Sequence, residues 1–204
     1  MRLSRRSFLQ ASLTAAAAGS IAPAFAKAAP AGNSDIAAVA ARVLARNASR
    51  VSHSDIVGIV DFAAPSWKAR LHLVDMIDGK ASSFLTAHGR GSDPAHSGWL
   101  QSFSNEPGSN ATSKGAYLTG GEYQGKYGRS MRLTGLDPDN SNAEARAIVI
   151  HPAWYVSEGM LEKYGKLGRS EGCFALCAED LAGVIDRLGP GRLLYVGKFA
   201  ELAG

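Results

Sequence analysis

The chain is 204 residues long, with 46% apolar residues, 23 glycines, two cysteines and a formal net charge of +4. That apolar content supplies a core and excludes a disordered or linker-like chain. Two cysteines exclude a disulfide-dense miniprotein and a four-cysteine zinc site, and so many glycines point to turns and strands rather than a helical bundle. Three of the 22 basic residues, Arg2, Arg5 and Arg6, lie in the first 26 positions, which hold no acid. The remainder carries 19 basic against 18 acidic residues and lacks the clustered charge that phosphate backbones require, so nucleic acid is set aside as a partner.

Residues 1–26 read as a cleaved export signal. Met1 to Arg6 is cationic, Phe8 to Ala22 is weakly apolar, and Ala24-Phe25-Ala26 is an A-x-A cleavage site. Ser4-Arg5-Arg6-Ser7-Phe8-Leu9 resembles the twin-arginine address. Gln10, Ser12, Thr14, Gly19, Ser20 and Pro23 dilute the apolar run below what a membrane span needs. The expected location is therefore periplasmic or extracytoplasmic, with no stable membrane insertion after cleavage.

Residues 27–54 read as an Ala/Pro linker followed by an amphipathic helix, with Ile36, Val39, Ala40, Val43 and Leu44 on one face. Residues 55–204 read as one domain. Ile56–Phe62 is apolar throughout, as a buried strand is. Arg70–Met76 alternates, Asp78-Gly79 marks a turn, and Ser83–Ala87 is the expected returning strand. Residues 89–135 hold ten glycines around short strands at Ala116–Thr119 and Ser130–Leu133. Pro138 to Asn142 is a turn cluster, and Arg146–His151 is another apolar strand ending at a histidine. Ser157–Tyr164 predicts a short helix, Ala178–Leu188 a longer one with acids in its first turn, and Arg192–Val196 a last strand. The sum is a mainly β single domain with a few peripheral helices.

The chemistry concentrates in Ile148-Val149-Ile150-His151-Pro152 and, with eighteen residues between histidine and serine, Ser170-Glu171-Gly172-Cys173-Phe174. A histidine at a strand end has its ring held by the sheet. A cysteine preceded by glycine lets backbone N–H groups approach a substrate carbonyl, which is what a thiol nucleophile with a neighbouring base requires. The histidine-before-cysteine order is the reverse of papain-type enzymes, and the spacing is shorter than in caspase-type ones. Spacing alone leaves open a buried cysteine and a satisfied core histidine.

The His…Ser-x-Gly-Cys arrangement resembles the YkuD-type L,D-transpeptidases, and within them the murein L,D-transpeptidase catalytic domain proteins. The resemblance runs from Val60-Asp61-Phe62 through His88-Gly89-Arg90-Gly91, Phe103-Ser104-Asn105-Glu106-Pro107-Gly108-Ser109 and Tyr123-Gln124-Gly125-Lys126-Tyr127-Gly128. It continues over Arg146–His151 to Gly168-Arg169-Ser170-Glu171-Gly172-Cys173-Phe174-Ala175-Leu176. It implies a β-sandwich-like catalytic domain that forms a thioester on peptidoglycan stem peptides, releases a terminal D-alanine and transfers the acyl group to an amine, with no cofactor. It implies Cys173 as nucleophile, His151 as base and later acid, and the Pro152 carbonyl as the group orienting the imidazole. Backbone N–H groups of Gly172 and Cys173 then form the oxyanion site, with Ser170 supporting the loop; a carbapenem adduct on the thiol is a further implication. Hydrolysis of the same thioester, as in an L,D-carboxypeptidase or amidase, and an inactive peptidoglycan-binding module are the alternatives.

Beyond this pair, Arg169, Arg90 and Arg129 are candidates to grip substrate carboxylates. His88 is a further candidate for the cleft or else an anchor of its loop, and Tyr127 either lines the cleft or packs. Glu171 places a carboxylate beside the thiol, which should raise its pKa. His88, His96 and Asp93 fit no zinc spacing, and no metal is expected. Cys177 reads as a small buried residue or as a resolving thiol for Cys173.

Overall fold

The structure, a computed structural model, describes residues 33–198; the expected leader, its cleavage site and the Ala/Pro linker lie outside the described residues. Helix α1 (Asn33–Asn47) buries Ile36, Val39, Ala40 and Val43 and leaves Arg42 and Arg46 exposed, as the 3.6-residue spacing dictates. Eight strands follow: β1 (Ile56–Asp61), β2 (Leu71–Asp75), β3 (Ala81–Phe84), β4 (Gly115–Gly125), β5 (Gly128–Gly135), β6 (Val149–Pro152), β7 (Phe174–Leu176) and β8 (Leu193–Gly197). Short helices α2 (Glu158–Tyr164) and α3 (Ala178–Leu188) flank β7 in the chain.

All eight strands form one mixed sheet in the order β3-β2-β1-β8-β4-β5-β6-β7. The wholly buried β1 sits centrally, antiparallel to β2 and parallel to β8. On one face α1 packs against Val57, Ile59, Val74, Ala116 and Leu193. On the other, Val60 and Leu73 share a core with Ile150 and Phe174 from the far end of the sheet. Phe62, just past β1, stacks on Phe174 with centroids 6.4 Å apart. The sheet therefore folds over on itself, which makes the mainly β, sandwich-like architecture a single continuous sheet. Leu181, Val184, Ile185 and Leu188 of α3 are buried in the same core, each contributing roughly 1.5–3 kcal/mol.

The free edge of β7 is met by the segment that leaves β3. Ala87 bridges Ala175 and Gly89 bridges Ser170, with the Ala87 N–H donating to the Ala175 carbonyl (3.0 Å) and Arg90 N–H to the Ser170 carbonyl (2.8 Å). This explains one departure from the expected strands: the strand placed over Ser83–Ala87 is Ala81–Phe84, because the chain then crosses to the opposite edge. A second departure is at β6, which begins at Val149 rather than Arg146. Ala147 has a φ of 51°, so the chain turns there before it extends. Residues 174–176, read only as flanking the cysteine, form β7.

Candidate active site

β6 and β7 run parallel, with Ile150 opposite Phe174 and His151 opposite Ala175. Alternation along a strand sends Ile150 and Phe174 into the core and His151 to the other face. Cys173, two residues before Ala175, returns to His151's face. Both side chains line one open cleft of about 460 Å³, together with Lys126, Tyr127, Arg146 and Tyr155.

The His151 ring is held by a 2.9 Å hydrogen bond between Nδ1 and the Pro152 carbonyl, as the sequence reading anticipated. A carbonyl only accepts, so Nδ1 carries the proton and Nε2 is the basic nitrogen. Tyr127 stacks on the ring at 4.8 Å and 25°. It sits at the tip of the β4–β5 hairpin, where Gly125 pairs with Gly128 and leaves Lys126 and Tyr127 as the connecting pair. Burial pulls the imidazole pKa below its ordinary 6.5, and Lys126 adds to this while the Pro152 hydrogen bond opposes it.

The Cys173 thiol donates to the Ala147 carbonyl at 3.5 Å. The left-handed backbone of Ala147 aims that carbonyl at the sulfur and costs roughly 1–2 kcal/mol. Hydrogen bonds from Ala147 N–H to the Glu144 carbonyl (2.9 Å) and Ile148 N–H to the Ala143 carbonyl (2.8 Å) hold it there. Burial pushes the thiol pKa above its ordinary 9.0. The Val149 N–H, Arg146 and Lys126 act downward, and Glu171 adds to the rise. Both shifts favour a resting pair of neutral thiol and neutral imidazole.

Gly172 has a φ of 119°, and a Cβ there would lie 2.8 Å from both the Ala111 carbonyl oxygen and Ile148 Cδ1, so only glycine fits without displacement. Its N–H donates to Ser170 Oγ at 3.1 Å, and Ser170 Oγ donates to the Cys173 carbonyl at 2.7 Å. Ser170 thus braces the loop as expected. The Gly172 N–H is engaged within the loop, so it is not the free donor that its expected oxyanion place requires. Arg146 ties the 104–113 loop to the same corner: Nη1 reaches the Ser104 carbonyl (2.8 Å) and Ser113 Oγ (2.6 Å), and Nη2 the Ala111 carbonyl (2.5 Å) and Ser109 Oγ (3.3 Å). These contacts use most of its donors and make it a fixed positive charge beside the sulfur.

The remaining candidates separate by position. Tyr127 is at the cleft. Arg169 lines it, but its Nη1 donates to the carbonyls of Asp93 and Pro94 (3.2 Å to the latter), so part of its fork ties down a loop. Arg90 is not brought to the lining; it pairs with Glu171 at 3.1 Å on the lip. Arg129 is not brought there either, since Glu122 (2.7 Å) and Asp186 (2.5 Å) hold it between the hairpin and α3. His88 is 1% exposed, with Nδ1 2.9 Å from Arg70 Nη2 and Nε2 3.4 Å from Asp93 Oδ2. Of the two roles open to it, the structure gives the buried anchor and not a place in the cleft. Cys177 lies at the far end of β7, four residues of extended chain from Cys173. About 13 Å then separates the two Cα atoms, too far for a disulfide, so the resolving-thiol reading fails for the folded protein. Among the described residues no group of three His, Cys, Asp or Glu side chains is placed to hold a metal ion, and no helix is long and apolar enough to cross a membrane.

Arg146, Lys126, Tyr155 and Trp154 were not singled out by the sequence. Tyr155 lines this cleft and a neighbouring groove, also about 460 Å³, whose walls include Trp154, Val156 and Cys177. His151 and Tyr127 line both and form the divide between them.

A half-buried thiol and an oriented imidazole on one face of adjacent strands define a protein equipped for nucleophilic chemistry. A family model described as the L,D-transpeptidase catalytic domain matches residues 31–196, and the chain belongs to that family. Among solved structures, it is similar to an L,D-transpeptidase from Mycobacterium smegmatis, with 12% identity, 70% of this chain and 58% of that chain covered, and a TM-score of 0.43. It is also similar to L,D-transpeptidase 3 from Mycobacterium tuberculosis bearing a faropenem-derived adduct, with 14% identity, 71% and 60% covered, and a TM-score of 0.44. A third, from Stackebrandtia nassauensis, gives 16% identity, 78% and 65% covered, and a TM-score of 0.42. The chain thus spans less than two thirds of the length of each of these structures. No curated protein matches significantly.

Proposed function

We propose that the protein is an exported cysteine acyltransferase acting on peptidoglycan stem peptides. The observation that carries this reading is the shared cleft: Cys173 and His151 on the same face of parallel strands, with Nδ1 pinned by Pro152 so that Nε2 is the base. Family membership supports the substrate class, and the twin-arginine-type leader supports export.

Because the resting pair is neutral, attack and proton transfer are coupled. Cys173 Sγ forms a bond to the carbonyl carbon of the third stem residue while its proton passes to His151 Nε2. The oxyanion is met by the Cys173 N–H and the fixed charge of Arg146. Collapse breaks the C–N bond, and the imidazolium returns its proton to the departing D-alanine amine. An acceptor amine then attacks the thioester, losing a proton to Nε2, and the thiol is regenerated. Lys126 and Arg169, both on the cleft lining, give the leaving group's carboxylate a cationic surround.

Purified protein incubated with tetrapeptide-bearing muropeptides, with products weighed by mass spectrometry, tests this. Cross-linked dimers with released D-alanine are expected. Trimmed monomers alone would assign hydrolysis instead, and unchanged muropeptides that still bind the protein would leave a binding module.

A further inference from the structure

We propose that the groove on the far side of His151 is a glycan subsite, with Trp154 as a stacking platform for an amino-sugar ring of the substrate. This rests on the acyltransferase reading above. Trp154 is 80% exposed, although it is among the largest apolar side chains of the fold. It stands edge-on to Tyr155, ring centroids 5.8 Å apart at 79°. The groove beside it is lined mostly by apolar side chains, with the Glu179 carboxylate as its one charged side chain. The catalytic cleft carries three cations and the single acid Glu171.

A ligand suited to the groove has an apolar face and hydroxyl donors around its edge. A pyranose has both: its C–H face stacks on an indole and its hydroxyls donate to a carboxylate. Trp154 and His151 lie within a few residues of each other. Trp154 is three residues past His151, at most about 10 Å along the chain. The sugar of a stem peptide is likewise three residues from the carbonyl that Cys173 attacks. The donor then lies across the divide, its departing carboxylate on the Lys126 side and its sugar end on Trp154, and Trp154 discriminates glycan-borne stems from free peptides.

Two measurements on the full chain test this. First, peptide-free N-acetylglucosamine–N-acetylmuramic acid disaccharide is titrated against the wild type, Trp154→Ala and Trp154→Tyr, following amide shifts by NMR. The wild type is expected to bind with shifts around Trp154 and Glu179, Trp154→Ala about ten-fold more weakly, and Trp154→Tyr close to wild type. Absence of binding, or binding that Trp154→Ala leaves unchanged, overturns the subsite whether or not the protein proves to be an acyltransferase. Second, kcat/KM is compared for a disaccharide-tetrapeptide and the free tetrapeptide. A ten-fold loss in Trp154→Ala confined to the disaccharide substrate is expected. An equal loss on both would assign the groove to peptide and contradict the proposal.

Discussion

Three histidines have lowered pKa values, and two of them, His88 and His151, sit in opposite settings. His88 is enclosed. Its Nδ1 accepts from Arg70 and its Nε2 donates to Asp93, and burial first, then the Arg70 charge, brings its pKa to about 3. Arg70, 0% exposed, also donates to the Thr86 (2.9 Å) and Ala64 (3.2 Å) carbonyls. Asp93 in turn accepts the N–H groups of Ser97 (2.7 Å) and Gly98 (2.8 Å). His151 has one nitrogen fixed by a carbonyl and lines two clefts with the rest of its ring. A perturbed pKa does not separate scaffold from site here; a basic nitrogen in a cleft beside a thiol does. The enclosed knot serves the site indirectly, because it anchors the segment whose Gly89 packs against Gly172. A Cβ on Gly89 would lie 2.8 Å from the Gly172 Cα.

Substitutions on the two sides should therefore fail in opposite ways. The largest effect is expected from Arg70→Met, which leaves Asp61 and Asp93 buried without their cation. A loss of about 3–5 kcal/mol in denaturant unfolding is expected, with activity lost as a consequence of unfolding. His151→Ala should lower kcat about 10²–10⁴-fold while its unfolding midpoint stays near wild type. If His151→Ala instead unfolds the protein and Arg70→Met does not, the assignment is reversed. Gly172→Ala should cost about 1–3 kcal/mol and slow thiol alkylation by displacing the loop.

The buried His88 and His72 also separate from His151 on a pH axis. The folded-state pKa of His88, about 3, and of His72, about 4 through burial, lie below the ordinary 6.5. The unfolded chain then binds more protons between these values. Stability should be complete above pH 6.5 and fall on acidification toward pH 3, by on the order of a few kcal/mol. The acid limb of kcat/KM, set by His151, should lie below 6.5, and the alkaline limb, set by the thiol, above 9.0. An acid limb above 6.5 would contradict a burial-lowered base. The smallest effect is expected from Glu171→Gln: the side chain is exposed and paired with Arg90, so thiol alkylation near neutral pH should rise only a few-fold, less at high salt.

Local features marked the pair in the sequence, a histidine ending an apolar strand and a glycine before a cysteine. They left a buried cysteine and a core histidine equally open, and the family resemblance is what singled the two out. The Pro152 carbonyl came with the same resemblance. What escaped depends on distant chain. Arg169 and Arg129 look like free cations until loop carbonyls and acids from elsewhere in the chain take up their donors, and Arg70 sits in an alternating strand that gives no hint of complete burial. Nothing in the sequence sets Trp154 and Tyr155 apart; it is the turn after β6 that leaves Trp154 exposed. The closure of the β7 edge by Ala87 and Gly89, more than eighty residues away, has no local signal.

The most direct test of the central claim is intact-mass analysis after incubation with a carbapenem, followed by peptide mapping of the adduct. The account predicts one stoichiometric adduct on Cys173, absent from Cys173→Ala and formed far more slowly by His151→Ala. An adduct mapped to Cys177, or one formed at the wild-type rate without His151, would contradict it.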